Sequence, residues 1–249
     1  MAEKTVLITG ASRGIGAATA KLAAKRGYRV VVNYFQNRTA ADSVVTEIVS
    51  DGGRALAVQA DVSREIDVVR MFETIDGKWG PLSALVNNAG LLEKQQRVDS
   101  MSADRINRIL STNVTGYFLC AREAVLRMST MRGGSGGAIV NVSSMAAKLG
   151  APNEYVDYAA SKAAADALTI GLAHEVAQEG IRVNAVRPGV IYTDIHASGG
   201  EPDRIERVKH SVPLKRGGQP EEVAHAILWL LSDEASYTTG GFIDVAGGR

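Results

Sequence analysis

Short runs of aliphatic and β-branched residues alternate along the chain with longer amphipathic segments. The runs are apolar at successive positions, which is typical of strands buried on both faces of a parallel sheet. They predict seven strands, at Val6–Thr9, Arg29–Tyr34, Ala55–Gln59, Leu85–Asn87, Ala138–Ser143, Arg182–Val186 and Phe242–Val245. Because strands and helical segments alternate, we expect right-handed βαβ units and a doubly wound α/β sheet with helices on both faces.

The segments between these runs carry signals for helices. One apolar stripe recurs at steps of three and four residues and would cover one helix face: Val68, Met71, Ile75 and Trp79. Thr39 followed by Asp42 resembles a capping box. Pro220 followed by two glutamates indicates another helix start, since proline fits the first turn and acids suit its positive end. The glycine-rich stretch 133–137 is too short for an interdomain linker, so we predict one domain over residues 1–249.

Composition and charge exclude several classes of protein. Hydrophobic residues make up 45% of the 249 residues and charged residues 22%, which argues against a disordered chain. With 28 Lys+Arg against 27 Asp+Glu, the net charge of +1 offers no field for nucleic acid or an anionic membrane. The chain shows no secretion signal and no apolar run of about 18 residues, so we expect a cytoplasmic protein.

The single cysteine, Cys120, has no partner for a disulfide within the chain and no neighbouring cluster of metal ligands. Apolar residues precede it at positions 117–119. We therefore interpret Cys120 as a buried structural thiol, and we expect no metal site.

A glycine-rich stretch follows the first predicted strand and opens a helical segment: Thr9-Gly10-Ala11-Ser12-Arg13-Gly14-Ile15-Gly16. Glycines there let the backbone approach a pyrophosphate, and the helix N-terminus supplies free N–H groups and a positive dipole end. The spacing is one residue longer than the usual dinucleotide fingerprint, and such a stretch can also be a plain tight turn. Its place in the first βαβ unit favours dinucleotide binding.

Two further motifs are ambiguous when taken singly. Leu85-Val86-Asn87-Asn88-Ala89-Gly90 ends the fourth predicted strand, where ligands bind in open parallel sheets, but its asparagines could equally satisfy nearby backbone groups. Tyr158 and Lys162 are four residues apart, so they share a helix face. A nearby ammonium would lower the pKa of the phenol and make Tyr158 a general acid or base, although a tyrosine beside a surface lysine is common. Tyr155 has no such partner.

Together and in this order, the three motifs resemble those of the short-chain dehydrogenase/reductase family, over essentially the whole chain. The resemblance implies a Rossmann-type NAD(P)-binding fold and an oxidoreductase acting on carbonyl or alcohol groups. Within the family the chain is similar to bacterial β-ketoacyl-acyl-carrier-protein reductases and glucose 1-dehydrogenases. A nucleotide sensor on the same fold is the alternative class, but the family's four catalytic residue types are all present.

The resemblance implies a role for each of those four residues. Tyr158 matches the proton donor or acceptor, and Lys162 matches its activator, which also holds the nicotinamide ribose. Two serines end the fifth predicted strand; Ser144 fits the family spacing better and would stabilise the reacting oxygen, leaving Ser143 as a strand-end hydroxyl. Asn113 matches the residue that holds a water in a proton relay, and it could also kink a helix.

The resemblance also implies the cofactor contacts: Gly10, Ser12, Arg13, Gly14, Ile15, Gly16, Asn33, Tyr34, Asp61, Val62, Asn88, Ala89, Gly90, Tyr158, Lys162, Pro188, Gly189, Val190, Ile191 and Thr193. Sites that prefer NAD place an acid at the end of the second strand. That strand here ends in Asn33-Tyr34-Phe35, and Arg13 and Arg38 could pair with a 2′-phosphate. We therefore expect NADP(H). NAD(H) is the alternative, because Asn33 could tolerate both cofactors and Arg38 could be merely solvated.

The segment 194–213 is rich in glycine and charge, as expected of a mobile substrate lid or of a surface loop with a short helix at Arg204–Lys209. Either of its histidines, His196 or His210, could contact substrate, but we expect both to be exposed. The neighbouring segment Lys148–Asp157 would shape the pocket for a small polar carbonyl compound or a sugar. The alanine-rich helix around Tyr158 favours close helix packing, and the family commonly forms homotetramers through it.

Overall fold

The apolar runs form the strands of one parallel sheet in the computed structural model, which describes residues 3–249. The strands are β1 Thr5–Ile8, β2 Arg29–Tyr34, β3 Arg54–Gln59, β4 Ala84–Asn87, β5 Gly137–Val142, β6 Ile181–Pro188 and β7 Phe242–Val245. Their order across the sheet is β3-β2-β1-β4-β5-β6-β7, and every neighbouring pair is parallel. The predicted doubly wound fold is confirmed: β2 and β7 have the predicted bounds, and the ends of the other strands differ from the predicted ones by at most two residues.

Helices cover both faces of the sheet. They are α1 Gly14–Lys25, α2 Arg38–Ser50, α3 Glu65–Trp79, α4 Ala103–Leu110, α5 Gly116–Met128, α6 Ala146–Leu149, α7 Val156–Val176, α8 Ile195–Ser198, α9 Arg204–Val208 and α10 Pro220–Leu231. Within β1, Val6 and Ile8 belong to the core shared with α1, α2 and α10, whereas Leu7 belongs to the core shared with α3, α5 and α7. Both faces of each central strand are therefore buried, which explains their unbroken apolar runs.

Helix α2 corrects one prediction about helix capping. The helix begins at Arg38, and the side chain of Asn37 accepts a hydrogen bond of 3.0 Å from the Ala40 N–H. Thr39 is thus already inside the helix, and Asp42 pairs with Arg38 one turn away. Asparagine two residues earlier is the better cap, because its short amide reaches the first free N–H groups. The predicted start at Pro220 is confirmed, with the Gln219 N–H donating to Glu222.

Cys120 lies on α5 with its side chain fully buried against the sheet. Burial raises the pKa of its thiol to about 12, and the charge of Glu123 acts in the same direction. The thiol is therefore protonated and shielded, as its apolar flank predicts. Among the helices of residues 3–249, none is long and apolar enough to cross a membrane.

The sheet opens a cleft at the carboxyl ends of its strands. β1 lies between β2 and β4, so the connections leave it in opposite directions and the strand ends separate. A cavity of about 1570 Å³ begins at the turn after β1, crosses the ends of β4 and β5, and reaches the segment after β6. Such a crevice is where ligands bind in doubly wound sheets.

Candidate active site

The turn between β1 and α1 needs its glycines. Gly10 has φ +60°, and a Cβ there would lie 2.9 Å from the Ala89 Cα. Gly14 has φ +55° and lies close to the Thr193 side chain. At Gly16 a Cβ would lie 2.6 Å from the amide nitrogen of Asn88. The first two glycines shape the turn, and the third lets α1 approach the end of β4.

The N-terminus of α1 fits a phosphate group. The residue that precedes the helix, Arg13, makes no side-chain cap, and no acidic residue lies in the first turn. The first N–H groups of a helix have no intrahelical partner, so here they are free to bind an anion at the positive end of the dipole. Ser12 and the exposed Arg13 line the same part of the cleft. These residues fit the pyrophosphate of a dinucleotide.

Asn33, at the end of β2, is turned into the protein. Its side chain is 2% exposed. The amide oxygen accepts from the Gly10 N–H at 3.1 Å, and the amide nitrogen donates to the carbonyls of Val58 at 3.3 Å and Ala60 at 3.1 Å. Asn33 therefore braces the glycine-rich turn, and the strand presents the following residues, 34–37, to the cleft.

The second motif holds the glycine-rich turn from the other side. The amide nitrogen of Asn88 donates to the carbonyls of Thr9 at 2.8 Å and Gly10 at 3.1 Å. The Thr9 hydroxyl accepts from the N–H groups of Asn88 at 2.9 Å and Ala89 at 3.0 Å. Asn88, Ala89 and Gly90 also line the cleft. The interpretation that these asparagines satisfy nearby backbone groups is therefore confirmed for Asn88, and ligand binding by the motif stays a prediction.

Asn113 lies at the centre of a single π-helical turn, Ser111–Thr115, between α4 and α5. Its fully buried amide accepts from the Leu91 N–H at 2.7 Å and donates to the Leu91 carbonyl at 3.0 Å and the Ser161 hydroxyl at 3.0 Å. The Asn113 side chain thus joins the loop after β4 to α7. The extra residue of the π turn turns Asn113 toward that loop, and such bulges are frequent at functional sites.

The two adjacent serines face different surroundings. Ser143 is 2% exposed and donates to the Lys162 carbonyl at 3.1 Å, which ties β5 to α7. Ser144 is partly exposed in the cleft, where its hydroxyl accepts from the Ala146 N–H at 3.1 Å. Both serines border the cleft, but the Ser143 hydroxyl uses its proton on the Lys162 carbonyl, so Ser144 is the better donor to a molecule in the cleft.

Tyr158 and Lys162 lie on α7 at the floor of the cleft. The ammonium is 5.6 Å from the centre of the Tyr158 ring and bonds elsewhere. Burial raises the pKa of Tyr158 to about 12, with a Ser144 hydrogen bond acting in the opposite direction. This corrects the expectation of a lowered phenol pKa: Lys162 does not bond the phenol here. Burial also lowers the pKa of Lys162 to about 7, against the charge of Asp166.

The structure brings Ser144, Tyr158 and Lys162 together with the glycine-rich turn along one cleft, and Asn113 lies behind them. Of the residues predicted to contact the cofactor, all except Gly16 line this cleft. Gly16 lies beneath the turn against Asn88.

Comparisons with known proteins agree with this geometry. A family model described as enoyl-(acyl carrier protein) reductase matches residues 10–249. A crystal structure of a short-chain type dehydrogenase/reductase from Mycobacterium marinum superimposes with a TM-score of 0.92 at 37% identity, over 98% of this chain and 94% of that one. The chain belongs to the short-chain dehydrogenase/reductase family. It is therefore an oxidoreductase that acts on CH–OH or C=O groups.

Several relatives cover nearly the whole of this dehydrogenase/reductase. The chain is 65% identical to uncharacterized oxidoreductase YgfF of Escherichia coli over 98% of both chains. It is 41% identical to a 3-oxoacyl-[acyl-carrier-protein] reductase of Synechocystis, over 98% of this chain and 96% of the relative. Glucose 1-dehydrogenase 2 of Bacillus subtilis is 38% identical, over 98% of this chain and 94% of the relative.

The far end of the cleft in this dehydrogenase/reductase is bordered by segment 194–213, which contains α8 and α9. Ion pairs connect this segment to the loop before α7: Arg204 and Arg207 both bind Glu154, and both also bind Glu201. The Tyr155 hydroxyl donates to the Gly199 carbonyl at 3.2 Å. Segment 194–213 is therefore held against the loop by charge pairs and one buried phenol.

His196 corrects the expectation of exposed histidines in segment 194–213. It is 9% exposed, and its Nε2 hydrogen-bonds the Ile191 carbonyl at 3.0 Å. Burial lowers the pKa of His196, although this hydrogen bond opposes the shift. The short helix α8 turns the His196 imidazole toward the protein interior. The charged composition of segment 194–213 did not indicate this burial. His210 is exposed as predicted.

Two polar contacts at the site were not predicted from the sequence. Lys162 bonds the hydroxyl of Tyr117, which lies 45 residues away in the chain. Arg105 of α4 forms an ion pair with Asp157, next to Tyr158, and their side chains are 6% and 2% exposed. The spacing of Tyr117 four residues after Asn113 was a usable signal, because one helical turn brings both residues to the same face.

Proposed function

We propose that this protein is an NADP(H)-dependent oxidoreductase that transfers a hydride between nicotinamide and a carbonyl compound or secondary alcohol, with Tyr158 as the proton donor or acceptor. The observation that carries the proposal is the cleft itself. Ser144, Tyr158 and Lys162 line it together with the uncapped N-terminus of α1. Phosphate recognition and proton transfer therefore meet in one crevice.

The side chains divide the chemistry among them. When bound, the nicotinamide cofactor supplies or accepts the hydride. The Ser144 hydroxyl donates to the reacting oxygen and stabilises the charge that develops there. The Tyr158 phenol, kept protonated by its raised pKa, gives its proton to that oxygen during carbonyl reduction. The charge of Lys162 favours the resulting phenolate, and Asn113 fixes the loop and helix around the pair.

The cofactor preference rests on charge at the end of β2. Residues 33–37 contain no acid that would repel a 2′-phosphate, and Arg38 begins the helix that follows. The exposed Arg13 lines the same cleft as residues 33–37. A guanidinium group beside an acid-free strand end suits a phosphate monoester, and Arg38, which pairs with Asp42 on the exposed side of α2, is the second candidate.

We expect Arg13→Ala and Arg38→Ala each to raise the Kd for NADPH by about tenfold or more, because each removes a charged hydrogen bond worth ~1.5–3 kcal/mol. NADH lacks the 2′-phosphate, so its Kd should change by less than about threefold. Fluorescence titration of both cofactors measures this. Arg26→Ala is the matched control, because Arg26 is exposed at the other end of α1. Equal weakening of NADH would contradict the assignment.

The substrate we propose is a small polar carbonyl compound, covered by segment 194–213 acting as a lid. The loop between α6 and α7 supports this proposal, since Ala151 and Asn153 have φ +44° and +64° and the cleft passes beside Ala151. Strained backbone of this kind is common at ligand sites.

The substrate proposal is tested by measuring oxidation of NADPH and NADH with β-ketoacyl thioesters, diketones, aldehydes and keto sugars, and reduction of NADP⁺ with glucose. Failure of every class with both cofactors would contradict the proposal.

We also propose that residues 1–249 act as one dinucleotide-binding domain.

We propose in addition that this domain assembles as a homotetramer. The outer faces of α5 and α7 support the assembly, because Phe118 is 52% exposed and Ile170 is 46% exposed beside the small residues of α7. Apolar side chains on adjacent helices suit a contact between copies. A monomer in analytical ultracentrifugation would refute the assembly.

A further inference from the structure

The Lys162 ammonium has a partner that the proposed mechanism does not use. Its Nζ lies 3.0 Å from the Tyr117 hydroxyl and 2.7 Å from the Val142 carbonyl oxygen. The Tyr117 ring centre is 5.0 Å from Nζ, closer than the ring of Tyr158. Lys162 and Tyr117 are 2% and 1% exposed, so both groups are removed from water.

The direction of these hydrogen bonds follows from the geometry. The Tyr117 hydroxyl is 2.9 Å from the Val142 carbonyl oxygen, which can only accept. The phenol therefore donates its single proton to that hydrogen bond. Its lone pairs are then left for the ammonium. Burial keeps the pKa of Tyr117 well above its usual range, so the phenol stays neutral and accepts from Lys162 wherever the lysine is charged.

Tyr117 is itself held in place from below. Its main-chain carbonyl accepts from the Asn87 amide at 3.3 Å, and Asn87 also donates to the Asn141 amide oxygen at 3.0 Å. The Asn141 amide nitrogen in turn donates to the Thr169 hydroxyl at 2.9 Å. All of these residues are buried. A buried polar network therefore ties the backbone of α5 at Tyr117 to β4, β5 and α7.

We propose that Tyr117 is a positioning residue for Lys162: its hydroxyl holds the ammonium at the cleft floor and stabilises the charged form of the lysine. The inference rests on the proposed function, in which that charge supports proton transfer by Tyr158. Burial alone disfavours a charged lysine, and a fixed acceptor offsets part of that cost. Tyr117 thereby sets the highest pH at which the Tyr158–Lys162 pair works.

The other charged and titratable groups around Lys162 are few among the described residues. On α7 itself Tyr158 lies one turn before Lys162, and Asp166, one turn after it, is paired with Arg187 of β6. On α5, Cys120 lies near Tyr117. None of these makes a hydrogen bond to the Lys162 Nζ, so the acceptors to vary are the Tyr117 phenol and a main-chain carbonyl.

Tyr117→Phe tests the proposal, because it keeps the ring and removes only the acceptor. Without that hydrogen bond the charged lysine is less stable, so its pKa should fall by about one unit or more. In cofactor-free protein labelled with [ε-¹³C]lysine, the Lys162 midpoint should move down by this amount, with Lys162→Arg to assign the signal. The pH at which kcat for carbonyl reduction falls on the alkaline side should shift to lower pH by the same amount. The value of kcat on the acid side should change by less than about threefold.

Tyr28→Phe is the matched control, since Tyr28 is a buried tyrosine, 8% exposed, that lies outside the cleft residues. It should leave both the Lys162 midpoint and the pH profile unchanged. A purely structural role for Tyr117 predicts a lower rate at every pH with the Lys162 midpoint unmoved, and that result would overturn the proposal. A shifted midpoint with an unmoved alkaline limb would overturn it as well. Activity surviving in Tyr158→Phe would instead overturn the proposed function, and the cofactor-free titration keeps the two failures distinct.

Discussion

Replacing Tyr158 with phenylalanine should lower kcat by about 10³-fold or more and leave the Kd for the cofactor within about threefold of the parent value. A positioned general acid contributes ~10²–10⁴-fold, and Tyr158 is a cleft hydroxyl that shares a helix face with a lysine. Cofactor binding should persist because the glycine-rich turn and the N-terminus of α1 do not contact this phenol. Steady-state rates and direct cofactor titration measure the two effects separately.

The variant Tyr28→Phe provides the control for Tyr158→Phe, because it removes a phenolic oxygen outside the cleft. It should retain full activity. If Tyr158→Phe kept more than about a tenth of the parent kcat, another group would have to carry the proton, and the assignment of Tyr158 would be wrong. A loss of cofactor affinity equal to the loss of rate would point to a collapsed site rather than to a missing acid.

Replacing Asp157 with asparagine should lower the free energy of unfolding by about 3–5 kcal/mol. The Asp157 carboxylate accepts from the Arg105 guanidinium at 2.7 and 3.3 Å, and both side chains are almost fully buried. Asparagine keeps the shape but leaves the Arg105 charge without a counterion in a region shielded from water. Denaturant unfolding at fixed protein concentration measures the loss.

The same substitution should also lower kcat. Asp157 accepts from the Tyr158 N–H at 2.9 Å, and Arg105 reaches the Gln96 side chain at 3.0 Å, so the ion pair joins the first turn of α7 to the loop after β4. Asp42→Asn is the matched control for the unfolding measurement, because the pair of Asp42 with Arg38 is exposed on α2. That pair should contribute less than about 1 kcal/mol to the free energy of unfolding. If Asp157→Asn and Asp42→Asn lowered the free energy of unfolding by similar amounts, burial would not determine how much the Arg105–Asp157 ion pair contributes to stability. Arg105→Met combined with Asp157→Leu should recover much of the stability, since no charge is then left unpaired.

The sheet, its seven strands and the edge at which the cleft lies follow from the amino-acid pattern. Unbroken apolar runs report burial on both faces, and strand–helix alternation leaves few topologies open. The glycine-rich turn and the shared helix face of Tyr158 and Lys162 were predictable for a different reason: each is local, and its geometry follows from spacing along one turn or one helix. The comparisons confirm the family that these motifs indicate.

The directions in which the polar side chains point depend on how distant parts of the chain pack together. Asn33 stands at the strand end where a ribose contact was expected, yet its amide is turned inward to the glycine-rich turn. His196 is buried although its segment is rich in charge. Lys162 bonds Tyr117 rather than Tyr158, and Arg105 meets Asp157 across 52 residues of sequence. Such partners come together only after β1, β4 and β5 lie side by side and their helices pack across them, and no local periodicity encodes that distance.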